Sequence, residues 1–407
     1  MKVHIPPQST RRWTGPYLGS YYGTLWKTYN VDLDRNEGKI SLSQRMQRIE
    51  DTTEFTGIDV SITSFLRTNA DCTDRYWALS FNDGLLKTDS VSPEQNTLPT
   101  DDWDTDALAS SPADPIDWTI HGNDSRDDSG RNKLIVTRDT GDIAVLNDSG
   151  NNDWTPTWWT VKQSQPALNR FIPFHPIEYF PFRKISLIGD GNLIHTISRT
   201  SDTVNDTVTY ARLTLPNSYI IRHIFTTSNR SWSLCYNRYG GEGAIVEWDG
   251  FSTSYNDIYN AYSLLPMLGV NYKGVPILLN SRGIFLEYTG RGFVPMYRNG
   301  QPVALPIAEE IGNSLASGAD ASVGFRADPR SMVVGEDNLI YMNLGNSTTN
   351  SYRFGSGIWC LNPLTGRIYN KFSLGQWGDS VDYGQQLNFT SVSSGSGGIY
   401  WVPANIS

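Results

Sequence analysis

Carboxylates are the residues whose types and spacing come nearest to a chemical site in this 407-residue chain. The run Asp102-Trp103-Asp104-Thr105-Asp106 places oxygen ligands at alternate positions, as at the start of a calcium-binding loop. Ala107 stands at the sixth position, where such a loop needs glycine, and Ala113 at the twelfth, where it needs glutamate. The segment 101–106 is therefore interpreted as a solvated acidic loop, with binding of a surface cation left open.

Three glutamates are the best-placed acids by position, namely Glu178, Glu247 and Glu287. Glu247 and Glu287 occupy equivalent places in two similar segments, and an aromatic residue follows each of them. Most glycosidases use two carboxyl groups about 5–10 Å apart. Equivalent positions in different structural repeats would be held further apart, so we interpret Glu247 and Glu287 as exposed polar residues of strands. We predict that none of the three is catalytic.

No other spacing of reactive residues indicates a metal, cofactor or nucleophile site. Cys72, Cys235 and Cys360 form no CxxC pair, and no GxSxG, P-loop or GxGxxG sequence occurs. The histidines show neither HxH nor HExxH spacing; they are His4, His121, His175, His195 and His223. We therefore expect no metal, no cofactor and no enzymatic activity.

Composition narrows the class of protein. Hydrophobic residues make up 38% of the chain, charged residues 18% and aromatic residues 12%, which indicates a folded chain rather than a disordered one. The 33 basic and 42 acidic side chains give a net charge of −9, which argues against broad nucleic-acid binding. The sequence predicts no transmembrane helix and no secretory signal, and three scattered cysteines fit a reducing cytoplasm.

The apolar runs of the chain have the period and the composition of β-strands. Thr56–Phe65 alternates apolar and polar residues, and most runs are short, rich in Ile, Val, Tyr and Trp, and bounded by turn residues. One stretch, Ile307–Leu315 after Pro306, has the spacing of a helix. The chain is predicted to be all-β.

A diverged repeat runs through the sequence. A glycine, a hydrophobic strand and a polar turn recur in that order seven times, at Gly84, Gly141, Gly191, Gly243, Gly283, Gly357 and Gly398. The glycine is expected to close a hairpin, a position that favours positive φ. Four strands in units of 40–57 residues, with one longer spacing of 74 residues between Gly283 and Gly357, predict a β-propeller of six or seven four-stranded blades. Two β-sandwich domains are the alternative.

The ends of the chain suggest how the propeller closes. The unit Gly398–Val402 lacks an outer strand, and Thr24–Leu33 alternates without a unit of its own. Pairing the two would remove exposed sheet edges, so we predict that 24–33 closes the blade. The predicted domains are an extended N-terminal arm, 1–22, and the propeller, 23–407, with insertions near 300–322 and 343–357.

The arm carries the side chains that dominate protein interfaces. They are Arg11, Arg12, Trp13, Tyr17, Tyr21 and Tyr22. An aromatic segment of this kind needs a partner to cover it. We predict that these residues form an interface with a neighbouring subunit.

Gly23–Asp34, leading into Gly38–Arg45, resembles β-propeller structural proteins of tailed-phage virions when taken together with the diverged repeats. Proteins of this kind serve as tail hubs, head-completion proteins and tail nozzles. The resemblance implies a non-enzymatic, multicopy tail or head–tail connector component that assembles in the host cytoplasm. Its partners would be copies of itself in a ring and other virion proteins of tail, portal or adaptor type.

Two other functions remain open. The 13 Trp, including the pair Trp158-Trp159, could supply stacking surfaces for sugars in a glycan-binding or glycan-hydrolysing propeller. The second open function is that of a propeller that mediates interactions between intracellular proteins.

Overall fold

The computed structural model describes part of the chain. The described residues are 31–32, 41–42, 62–68, 75–80, 84–87, 115–121, 133–138, 141, 143–147, 158–160, 168–169, 171–172, 174–198, 207–305, 325–327, 331–335, 337–346, 357–373, 387–395 and 398–405. They are all strand, turn or irregular, which confirms the all-β prediction for them. The expected helix Ile307–Leu315 lies outside the described residues.

Thirty strands are present in the described residues. The first half comprises β1 (Val31–Asp32), β2 (Ser41–Leu42), β3 (Ile62–Thr68), β4 (Arg75–Ser80), β5 (Gly84–Lys87), β6 (Pro115–His121), β7 (Lys133–Arg138), β8 (Ile143–Asn147), β9 (Trp158–Thr160), β10 (Ile177–Phe180), β11 (Ile185–Asp190), β12 (Leu193–Ser198), β13 (Thr207–Thr214), β14 (Tyr219–Thr226) and β15 (Ser231–Asn237). The second half comprises β16 (Ala244–Trp248), β17 (Asp257–Asn260), β18 (Pro266–Tyr272), β19 (Val275–Asn280), β20 (Phe285–Tyr288), β21 (Phe293–Pro295), β22 (Tyr297–Arg298), β23 (Gln301–Pro302), β24 (Phe325–Arg326), β25 (Met332–Val334), β26 (Ile340–Asn346), β27 (Gly357–Asn362), β28 (Arg367–Ser373), β29 (Leu387–Gly395) and β30 (Gly398–Asn405).

The chain divides into two compact units, which we call the middle unit, Arg48–Asn260, and the terminal unit, Met1–Gln47 with Ala261–Ser407. In the middle unit, strands pair antiparallel in sequence order. They form one three-stranded sheet, β3 to β5, and three four-stranded sheets, β6 to β9, β10 to β13 and β14 to β17. The first strand β10 contacts the first strands of both neighbouring four-stranded sheets, β6 and β14. This arrangement is compatible with propeller blades.

The terminal unit contains a four-stranded sheet, β18 to β21, and a five-stranded sheet made of β24 to β28. Its two-stranded sheets are β1 with β2, β22 with β23, and β29 with β30. β1 also lies beside β28. The described pairing of β1 is with β2; since 24–30 lie outside the described residues, closure by 24–33 stays a prediction.

Each of the seven repeat glycines leads into a strand of a different sheet, as the repeat predicted. Gly141, Gly191 and Gly283 have positive φ, as expected for glycines that close hairpins. Gly243 does not; the turn before β16 instead has positive φ at Gly240 and Gly241. A longer hairpin loop moves the left-handed positions away from the strand.

The predicted insertions are partly strand. β26 continues through Asn346 and pairs with β27, so the segment 343–357 begins and ends within a sheet. Residues 301–305 hydrogen-bond back to the β18–β21 sheet, since the N–H of Leu305 donates to the carbonyl of Gly283 at 2.7 Å. The remainder of both segments, 306–324 and 347–356, lies outside the described residues.

Apolar residues of alternating strands bury the faces of these sheets. In the middle unit one cluster surrounds Trp248 and Phe180, and a second surrounds Ile143. In the terminal unit the cluster contains Trp359 and Tyr369. Each large side chain of this kind stabilises the fold by about 1.5–3 kcal/mol through burial. The sheets are therefore rigid supports for the loops at their edges.

Candidate functional site

Several predicted site residues lie outside the described residues. The arm, with Arg11, Arg12, Trp13, Tyr17, Tyr21 and Tyr22, is among them, and so is the acidic segment 101–106. Trp158 and Trp159 lie in β9, the outer strand of its sheet. The described residues offer three candidate features: the three glutamates, a buried histidine network and an exposed aromatic surface.

Glu247 is buried, and both of its carboxylate oxygens accept hydrogen bonds. It lies on β16, where the Nε of Arg230 donates to its Oε1 at 2.8 Å and the hydroxyl of Tyr259 donates to its Oε2 at 2.7 Å. The ring of Tyr259 lies 6.2 Å from that of Trp232. Our interpretation of Glu247 as an exposed residue is wrong, because the outer strand β17 and the Arg230 turn cover it.

Glu287 occupies the equivalent position on the third strand of its own sheet, β20. Arg298 binds its carboxylate through two hydrogen bonds, of 3.0 Å to Oε1 and 2.7 Å to Oε2. The Nε of the same guanidinium donates to the carbonyl of Pro363 at 2.7 Å. Two glutamates at equivalent repeat positions therefore hold arginines that connect neighbouring segments of their units, which is a structural role.

Glu178 differs from the other two glutamates. It lies half-buried on β10, and burial together with the nearby Asp117 carboxylate raises its pKa to about 8. The side chain is therefore mostly protonated at neutral pH. A carboxylic acid whose pKa is raised, near a second carboxyl group, is a feature that glycosidase sites share.

Asp117 belongs to a polar face of β6 that covers the free edge of β10. The N–H of Ile177 donates to Asp117 Oδ2 at 3.0 Å, and the N–H of Tyr179 donates to Thr119 Oγ1 at 3.2 Å. His121, two residues further along, lies against the Tyr179 ring at 4.9 Å. Alternate residues of one strand point to the same side, so three polar side chains of β6 face the edge of β10.

A second polar network lies inside the β10–β13 sheet, around Asp190. Its carboxylate accepts the N–H of Asn169 at 3.1 and 3.2 Å, and lies 3.3 Å from His195 Nε2 and 3.7 Å from His175 Nδ1. Burial acts to raise the pKa of Asp190, but these hydrogen bonds and the histidines hold it below its usual value. Burial lowers the pKa of His175.

The backbone fixes the tautomer of His195. The N–H of Ala211 donates to its Nδ1 at 2.8 Å, so Nε2 carries the proton and donates to Asp190. Ala211 has φ 48°, in a bulge between β12 and β13. No group of three His, Cys, Asp or Glu in the described part of the chain could hold a metal ion. Through the Ala211 N–H and the Asp190 carboxylate, His195 connects the bulge of β13 to the turn between β11 and β12.

Phe182, Arg183, Phe251 and Arg212 form an exposed row, which we call the Phe–Arg row. The Arg183 guanidinium carbon lies 5.0 Å from the Phe182 ring centroid and 5.5 Å from that of Phe251, and the Arg212 guanidinium carbon lies 5.3 Å from Phe251. The two phenylalanines are 56% and 63% exposed. Aromatic rings and arginines are the residues that dominate binding hot spots.

The loop after β16 holds Phe251 in place. Asp249 Oδ1 accepts the N–H groups of Phe251 and Ser252, both at 2.8 Å. Burial acts to raise the pKa of Asp249, but these bonds and the Arg183 charge hold it below its usual value. Gly250, at φ 75°, lies so close to Phe180 that a Cβ would approach the ring to 2.6 Å. Phe251 is therefore held by hydrogen bonds within its own loop and by the close approach of Gly250 to Phe180.

The sequence analysis did not identify the polar face of β6 or the Phe–Arg row as candidate sites. The alternation of Asp117, Thr119 and His121 within a strand could have indicated a polar face, but not what it covers. The Phe–Arg row has no local signal, because it joins the turn at 181–184 with residues 212 and 251.

Comparisons with solved structures found similar chains at low identity. Hydrazine synthase of Kuenenia stuttgartiensis has TM-score 0.42 and 8% identity, over 73% of this chain and 80% of that chain. A candidate 6-phosphogluconolactonase of Bacteroides uniformis has TM-score 0.47 and 10% identity, over 84% and 92%. The extracellular domain of a candidate one-component system of B. thetaiotaomicron has TM-score 0.48 and 12% identity, over 93% and 46%.

No protein-family model matches the chain, and no curated protein sequence does. The fold class therefore rests on the strand pairing given above. Within the described ranges, no helix is long and apolar enough to cross a membrane.

Proposed function

We propose that the chain is a non-enzymatic, multicopy structural component of a tailed-phage virion, in the tail or at the head–tail connector. Its β-propeller of six or seven four-stranded blades, closed by 24–33, would act as a rigid spacer. Its arm and loops would contact neighbouring copies in a ring and other virion proteins of tail, portal or adaptor type. Assembly would take place in the host cytoplasm.

The proposal rests on two observations: two of the candidate glutamates are paired with arginines, and an exposed aromatic and basic surface is available for contact with another protein. Glu247 and Glu287 are held by arginines, whereas the Phe–Arg row presents two exposed aromatic rings and two guanidinium groups on a rigid frame. Such a surface suits protein–protein contact. The aromatic arm and the resemblance to phage propellers support the same function.

Virion purification tests the proposal. Quantitative mass spectrometry of gradient-purified particles should find the chain at a fixed number of copies per particle. Trp13→Ala with Tyr17→Ala should reduce incorporation and leave the unfolding temperature of the propeller nearly unchanged. If the chain is absent from purified particles, the virion role is refuted. If the double variant is incorporated normally, the role of the arm is refuted.

A glycan-hydrolysing propeller is the second candidate, because Glu178 has a raised pKa and lies near a second carboxyl group, Asp117. A panel of oligosaccharides separates the two functions. We expect no turnover from the wild-type protein; turnover that is lost in Glu178→Gln would establish the enzyme instead.

A further inference from the structure

Neither guanidinium group of the Phe–Arg row forms a salt bridge with an Asp or Glu in the described part of the chain. The charge of Arg183 acts on Asp249, but the Asp249 carboxylate accepts its hydrogen bonds from Ser252 and from the N–H of Phe251. In a chain of net charge −9, this row is a local concentration of positive charge.

The arginines are held in place by backbone carbonyl groups. Arg183 donates from Nε to the carbonyl of Asp249 at 3.0 Å, and Arg212 donates to the carbonyl of Phe251. These bonds leave further guanidinium N–H groups of both residues for a partner. The partner must therefore present carboxylates at short spacing and tolerate two exposed aromatic rings beside them.

The sequence contains a segment of that chemistry. The segment 101–106 carries four aspartates and Trp103 in six residues. In an extended conformation Asp102, Asp104 and Asp106 would lie on one side, at a spacing of about 6.5–7 Å between alternate residues. Two carboxylates of such a segment could each bind one of the two arginines that lie within 5.5 Å and 5.3 Å of the Phe251 ring centroid.

We propose that the Phe–Arg row of one copy binds the acidic segment 101–106 of a neighbouring copy. The proposal rests on the multicopy function proposed above and names one of its contacts. Because the row and the segment are different surfaces, the contact is head-to-tail, and such contacts close into rings when the rotation between copies permits. Charge pairing of this kind weakens as salt concentration rises.

Charge reversal tests the contact in the full-length chain by analytical ultracentrifugation at low and high salt. Arg183→Glu with Arg212→Glu, and separately Asp102→Lys with Asp104→Lys, should each weaken self-association at least tenfold. An equimolar mixture of the two variants should regain it, because each then offers the other a complementary surface. Arg238→Glu with Arg291→Glu changes the same charge at exposed residues outside the row and should have no such effect.

The possible outcomes distinguish failure of this contact from failure of the multicopy function proposed above. If the wild-type chain associates and reversal of the row leaves association unchanged, the contact is refuted and the multicopy function stands. A third variant combines the row reversals and the segment reversals in one chain. If this combined variant associates normally but the mixture of the two separate variants does not associate, the segment binds within its own chain and the proposal is wrong. If association depends on calcium and not on the row, the segment is a cation loop and the proposal is again wrong. Unfolding temperatures of all variants check that each is folded, and Asp102→Lys with Asp104→Lys leaves every residue of the row in place.

Discussion

Asp117 and Ile177, sixty residues apart in sequence, are joined by a 3.0 Å hydrogen bond from the Ile177 N–H to the Asp117 Oδ2. Ile177 begins the first strand of its sheet, so this N–H points away from its strand partner β11. A side chain of β6 thereby replaces a missing strand neighbour. This relationship connects two successive sheets of the middle unit through the backbone of one and a carboxylate of the other.

Removing the carboxylate should leave a buried N–H unsatisfied. We expect Asp117→Ala to lower the free energy of unfolding by about 1–3 kcal/mol, the cost of an unpaired buried polar group. Asp117→Asn keeps an acceptor oxygen and should lose less. Urea unfolding of both variants measures the difference; equal losses would show that the hydrogen bond to Ile177 contributes little.

Glu178 should make stability fall as the pH rises. Its pKa in the folded protein is about 8, against an ordinary value of 4.5, so between these values the folded state keeps a proton that the unfolded chain has released. The free energy of unfolding should therefore decrease from about pH 5 to pH 8. In Glu178→Gln this decrease should be smaller. Thermal unfolding across the range measures both slopes.

The control for this measurement is Glu242→Gln, which changes an exposed carboxyl in the same unit and should leave the slope as in the wild type. His175, whose pKa is lowered by burial, acts in the opposite direction below about pH 6.5, and it cancels when variants are compared. Parallel curves for wild type and Glu178→Gln would show that Glu178 is ionised in the folded protein.

Gly250 should be far less tolerant of a side chain than Gly290. Both have positive φ, 75° and 86°, which costs a non-glycine residue about 1–2 kcal/mol. A Cβ at Gly290 meets nothing within 4 Å, whereas at Gly250 it would meet the Phe180 ring at 2.6 Å. Gly250→Ala should therefore destabilise by roughly a further 1–3 kcal/mol. Similar unfolding midpoints for the two variants would contradict this contact.

The two paired glutamates should differ in their contribution to stability. Glu247→Ala removes a buried acceptor from both Arg230 and Tyr259, and we expect a loss of about 1–3 kcal/mol. Glu287 and Arg298 are about a quarter exposed, and Arg298 keeps its bond to Pro363, so Glu287→Ala should cost about 0–1 kcal/mol. Chemical denaturation measures the loss of unfolding free energy in each variant. A larger loss in Glu287→Ala than in Glu247→Ala would show that solvent exposure does not determine how much these glutamates contribute to stability.

Local chemistry in the sequence determined the strands and their turns. The all-β class and the seven glycine-led strands in separate sheets were predicted, because alternation of apolar residues and the turn preference of glycine are properties of a few neighbouring residues. Positive φ at Gly141, Gly191 and Gly283 has the same origin. The exposure of Glu247 was predicted wrongly, since burial depends on what packs across the strand rather than on the strand itself.

Tertiary structure alone decided which side chains meet. The Ala211 bulge depends on a histidine sixteen residues away, and the cover of β10 depends on a strand sixty residues earlier. The Phe–Arg row is formed by the turn at 181–184, by Arg212 of β13 and by the loop after β16, which the packing of adjacent sheets brings together. Within it, Arg183 is bonded to a carbonyl sixty-six residues further along the chain. No local period encodes such distances, because they are set by the order and stacking of whole sheets.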